Sequence, residues 1–67
     1  MNWDQIQGQW KILAGKAKEK WGQLTDDEIE ATSGRADQLE GLLQKKLGCA
    51  KEEAQRQVAE FQKSCNC

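Results

Sequence analysis

Apolar residues recur along the first third of the chain at intervals of three and four. Trp3, Ile6, Trp10, Leu13, Ala17, Trp21 and Leu24 fall in one arc when successive residues turn by ~100° about an axis. This is the stripe of an amphipathic helix. Lys11 and Lys18 flank one side of it, and Lys16 and Lys20 flank the other. Their stems can cover apolar edges while the ammonium groups stay in water. Gly8 breaks the stripe, which sets residues 3–7 apart as a separate first turn. Gly22 stands where a C′ glycine ends a helix.

The pattern then restarts with different punctuation. Thr25 followed by Glu28 is a capping box, and Asp26 and Asp27 complement the positive end of the helix that begins there. That helix is short, carries Ile29 and ends by Thr32-Ser33-Gly34. A third segment runs from Arg35 to Leu47 with Leu39, Leu42, Leu43 and Leu47 on one face, and Gly48 stops it. The last helix starts near Lys51-Glu52-Glu53 and carries Ala50, Ala54, Val58, Phe61 and Cys65 at helical spacing. The chain has no proline, and no window alternates with period two, so no strand is expected.

A shift of 26 residues lays Gly8, Gly15 and Gly22 on Gly34, Gly41 and Gly48. The same shift lays Leu13 on Leu39, Trp21 on Leu47, and Asp26-Asp27 on Glu52-Glu53. Each half reads as helix, glycine stop, acidic cap, helix. The expectation is an all-α fold: two α-hairpins packed against each other as a small bundle of four to five helices. Its core should hold Trp10, Leu13, Ala17, Trp21, Leu24, Ile29, Leu39, Leu43, Leu47, Ala54, Val58 and Phe61. Gly15 and Gly41 lie far from their apolar stripes, inside helices where glycine costs about 1 kcal/mol against alanine. Two explanations compete for them: close approach of a neighbouring helix backbone, which is favoured, or a flat patch for a partner.

Size and charge narrow this picture. With 67 residues the chain is one small domain, residues 1–64, and 65–67 read as a flexible C-terminal tail. A core this thin leaves net stability of only ~3–5 kcal/mol. The net charge of −1 lacks the basic excess of a dedicated nucleic-acid binder. No apolar run is long enough to span a bilayer, and MNWDQIQGQW lacks the charged start and apolar stretch of a secretory signal. The reading is cytoplasmic and monomeric. Three cysteines, Cys49, Cys65 and Cys67, are an odd count with two crowded at one end, which is no disulfide framework. Without histidine, a zinc site there would need a further ligand from a carboxylate or a second chain. Cys65-Asn66-Cys67 reads as a frayed tail of reduced thiols, and Cys49 as a small residue in a turn.

The run GQWKILAGKAKEKWGQLTDDE, with GRADQLEGLLQKKLG and KEEAQRQV after it, resembles the CsbD-like family of small bacterial stress-response proteins. The resemblance covers about residues 2–62. It is carried by Lys16, Lys18, Glu19, Trp21, Gly22, Leu24, Thr25 and Asp26 with Asp37-Gln38-Leu39 and Gly41. It implies two α-hairpins packed crosswise in a SAM-domain-like arrangement, expression under general stress, and neither catalytic residues nor a cofactor. The cysteines depart from the family pattern, so any thiol function would be private to this chain.

The candidate chemistry has bland explanations. Asp26, Asp27, Glu28, Glu52 and Glu53 could pair for acid–base work, but their place at helix starts accounts for them. The chain lacks His and Tyr and has no phosphate-cradling glycine loop, so no enzyme is expected. Trp3, Trp10 and Trp21 beside lysines suggest a base-stacking platform, yet all three share the core arc. The first helix could lie on a membrane surface, but its apolar face is needed for the core. What remains is a non-enzymatic stress protein that binds a protein partner of unknown identity or protects cell components. Its surface would be Lys11, Gly15, Lys16, Lys18, Lys20 and Gly41. The alternative is weak nucleic-acid binding by the lysines of the first helix.

Overall fold

The computed structural model describes residues 2–65. Five helices follow in order: α1 Trp3–Gly8, α2 Trp10–Lys20, α3 Asp26–Ala31, α4 Ala36–Leu47 and α5 Lys51–Ser64. Among the described residues there is no strand. Helix α2 packs on α3 and α4 packs on α5, which makes the two hairpins, and α1 lies against α2.

Local chemistry sets the boundaries. Asn2 opens α1 with a capping box: its side chain accepts from the Gln5 N–H at 2.9 Å, and the Gln5 side chain accepts from the Asn2 N–H at 3.1 Å. Thr25 and Glu28 do the same for α3, at 3.1 and 3.0 Å. Such reciprocal pairs satisfy amide groups that a helix start leaves without partners. Gly8 is the last residue of α1, so the break in the stripe is real. Gly48 ends α4 in the left-handed conformation, φ +66°, a position that suits glycine. Gly22 does not take that role. Helix α2 already ends at Lys20, where the Trp21 N–H donates to the Ala17 carbonyl at 2.8 Å, and Gly22 keeps an ordinary φ.

The core gathers on one ring. Phe61 of α5 is 1% exposed, and all three tryptophans surround it: Trp21 at 5.3 Å, Trp10 at 6.1 Å edge-on and Trp3 at 6.4 Å between ring centroids. These offsets are the ones aromatic quadrupoles favour. The first hairpin and α1 therefore clasp a residue of the second. The buried indoles have hydrogen-bond partners. Trp10 Nε1 donates to the Ile29 carbonyl at 2.9 Å, which also accepts from Thr32 Oγ1 at 2.7 Å. Trp21 Nε1 donates to Gln57 Oε1 at 2.8 Å, and Gln57 donates on to Glu53. Around this centre lie Ile6, Leu13, Ala17, Leu24, Ile29, Leu39, Leu43, Ala54 and Val58, all buried. Leu47 and Trp3 are half-buried, at the rim. Spacing predicts Leu47 in the core, but as the last residue of α4 it packs against the cluster from its edge and stays partly open to solvent. Cys65 is buried at the C-cap of α5 and belongs to the packed body, where the sequence started the tail. Asn66 and Cys67 lie outside the described residues.

The middle glycines give a clear answer. A Cβ added at Gly15 or Gly41 would meet nothing within 4 Å. Both are exposed. The expected close approach of a helix backbone is absent at both. It occurs at Gly34 instead, where a Cβ would lie 3.1 Å from the Gln7 Cα and 3.2 Å from the Trp10 ring, and where φ is +74°. With Ser33 at φ +55°, Gly34 makes the tight left-handed link that turns the chain from α3 into α4.

Candidate functional site

Helix α2 divides its side chains sharply. Trp10, Leu13, Ala17 and, just past its end, Trp21 point into the core, and Lys11, Ile12, Gly15, Lys16 and Lys20 are exposed. The four lysines of this helix do not form one patch. Lys11 and Gly15 line a cleft of about 210 Å³ between α2 and α3, whose other wall carries Asp26 and Glu30 and whose floor is Ala14 and Ile29. Lys16 and Lys20, with Glu19 between them, face Ser64 of α5 across a second open cleft of about 390 Å³. Lys20 also sits 5.8 Å from the centroid of the Trp21 ring, a cation–π distance. Lys18 is half-buried, and its ammonium donates to the Leu24 carbonyl, which ties α2 to the turn before α3. Gly41 stands apart on α4 and lines neither cleft. Of the six residues singled out from the sequence, the structure thus brings together Lys11 with Gly15 and Lys16 with Lys20. It gives Lys18 a structural bond.

The carboxylates at helix starts are engaged with the fold. Glu28 takes the N–H of Thr25 and an ion pair with Lys46 of α4 at 2.5 Å, so its carboxyl is lowered to about 2, with the Lys46 bond the leading cause. That pair joins the hairpins across their surface. Glu53 is held below the ordinary carboxylate range by Arg56 first and Gln57 second. Among the described residues no group of three or more acidic or cysteine side chains is placed to hold a metal ion. Burial pushes the Cys65 thiol up, away from the reactive thiolate. Cys49 is half-buried between α4 and α5, with its sulfur 3.7 Å from the Leu43 carbonyl. No helix among the described residues is long and apolar enough to cross a membrane.

Sequence reasoning missed Ile12. It lies off the apolar stripe and is 75% exposed. Its distance from that stripe was the signal available, since an isoleucine on the outer face of an amphipathic helix has no place in the core.

The model of the family described as CsbD-like matches residues 4–56, which takes in α2, α3, α4 and the turns between them. The chain belongs to the CsbD-like family. This is a general stress-response family. Similar proteins include a UPF0337 protein of Bordetella pertussis, 56% identical over 61 residues that cover 91% of this chain and 92% of the relative. A UPF0337 protein of Pseudomonas aeruginosa is 51% identical over 91% of this chain and 94% of its own length. One from Rhodopirellula baltica is 49% identical over 100% of this chain and 98% of the relative. These relatives match the CsbD-like chain over nine-tenths or more of its length and of their own.

Proposed function

We propose that this CsbD-like protein serves the stress response without catalysis, by binding a macromolecular partner through the outer face of α2. The observation that carries this reading is the open space at Gly15. A helix-interior glycine costs about 1 kcal/mol against alanine, and no neighbour in the fold needs its lack of a side chain. A partner lying flat over Lys11, Gly15 and Lys16 would. The exposed lysines on either side supply charge at the edges of such a contact. Gly41, equally open on α4, offers a second flat position, on a different helix.

The test is capture of partners from stressed cells with the intact chain, followed by NMR titration of each captured protein. Saturable shifts centred on Lys11–Lys16, abolished by Gly15→Leu in a protein that stays helical, support the reading. Absence of any saturable partner, together with dose-dependent rescue of a heated or dried client enzyme, replaces it with a protective role. Weak nucleic-acid binding is the second reading, favoured by the exposure of Lys11, Lys16 and Lys20. It excludes base stacking on Trp10 and Trp21, which are buried, and it predicts amide shifts on adding DNA at low salt that vanish as salt rises.

A further inference from the structure

Ile12 is the one large apolar side chain left in water among the described residues. It lines an open groove of about 570 Å³ at the junction of α1 and α2, with Gly8, Trp10 and Lys11 on one wall and Glu30 and Ser33 on the other. A single exposed isoleucine is ordinary on a protein surface. The rim of this groove sets it apart. Lys11 stands on the α2 side and Glu30 on the α3 side; both are exposed, and neither is in an ion pair among the described residues.

A rim with one positive and one negative wall is its own complement. Under a two-fold rotation, Lys11 of each copy meets Glu30 of the other, and each Ile12 enters the facing groove. A uniformly basic or uniformly acidic partner would satisfy one wall and repel the other. Gly15, about one turn along α2 from Ile12, and Gly8, the last residue of α1, have nothing among the described residues within 4 Å of a would-be Cβ, so a second backbone can approach closely there. We infer that the chain associates with a second copy of itself through this groove, as a weak two-fold dimer. The contact is small, so it forms only at high concentration. This inference turns on Ile12 and on Glu30 facing Lys11; it shares Lys11 and the open space at Gly15 with the partner reading, which needs neither Ile12 nor Glu30. The sequence alone suggested a monomer; Ile12 is the residue that changes that expectation.

The experiment is sedimentation and an NMR dilution series of the full chain from about 1 mM downward. The expected result is a mean mass rising above 7.6 kDa with concentration, and concentration-dependent amide shifts confined to residues 8–15 and 30–33. Ile12→Ser should abolish both. Lys11→Glu and Glu30→Lys should each weaken association at least about tenfold, because each homodimer then sets like charges together. An equimolar mixture of those two variants should associate again, since both cross-pairs are restored. All three side chains are exposed, so the variants keep the helical CD signal, and the mixing arm compares two folded proteins. A chain that stays at the monomer mass up to about 1 mM, or a mixture no tighter than its components, overturns the inference and leaves the partner reading untouched.

Discussion

The two hairpins carry the same sequence pattern and finish it differently. In the first, α2 ends without help from a left-handed glycine, and Lys18 reaches across to the Leu24 carbonyl before the Thr25–Glu28 box opens α3. In the second, Gly48 takes φ +66° to end α4, and α5 starts at Ala50 with no side-chain cap. Of the glycines that superpose under the 26-residue shift, Gly8 is open, whereas Gly34 is wedged against Trp10. Gly15 and Gly41 are alike in being open. The comparison teaches that spacing sets the helices, while the stops are settled by what each turn packs against.

The largest effect should come from Phe61→Ala. The substitution removes the ring that joins the hairpins, at a cost of about 3–5 kcal/mol, as much as a domain this small has to lose. Loss of near-UV CD and of helicity together is expected. Persistence of a folded first hairpin would show that the halves are independent units.

The paired glycines give the next test. Gly34→Ala should destabilise by about 1–2 kcal/mol from its left-handed backbone alone, with more from the displaced Trp10 ring. Gly8→Ala, its counterpart, should stabilise slightly. Urea melts of the two proteins measure the contrast.

Gly15→Ala and Gly41→Ala should each raise stability by about 0.4–1 kcal/mol. A loss at either position would mean that a neighbour abuts it after all, and the argument for a partner face at Gly15 would go with it.

The smallest change concerns the ion pair between the hairpins. The Glu28 carboxyl is lowered from 4.5 to about 2 by Lys46 and the Thr25 N–H. A depressed folded value means that the contribution is fully present above pH 4.5 and is lost as the pH falls toward 2. Glu28→Gln should flatten the stability curve across that interval and leave its shape near neutrality unchanged, as acid titration followed by CD would record.

Most of the fold was legible because helix periodicity and capping are local. The arc from Trp10 to Leu24, the Thr25 box and the Gly48 stop all emerge from spacing and residue type. The Asn2–Gln5 box was equally local and was passed over. What could not be read was long-range. Nothing in the order of residues says that Gly34 meets Trp10 and Gly15 meets nothing. The lysines illustrate the limit at the candidate site. Of four similar side chains on one helix, Lys18 and Lys20 are taken up locally, by the Leu24 carbonyl and the Trp21 ring, while Lys11 and Lys16 become cleft walls only when α3 and α5 are in place. The position of Ile12 off the apolar stripe is a local signal, though the reading of the stripe left it out; the groove beside it comes only with the fold.

The ring cluster has a practical corollary. The chain has no tyrosine, so excitation at wavelengths beyond the phenylalanine band addresses indoles alone. Those indoles sit in α1 and at the two ends of α2, and all look onto one residue of α5. Their emission colour is therefore a built-in gauge of whether the hairpins are docked, readable without any attached dye.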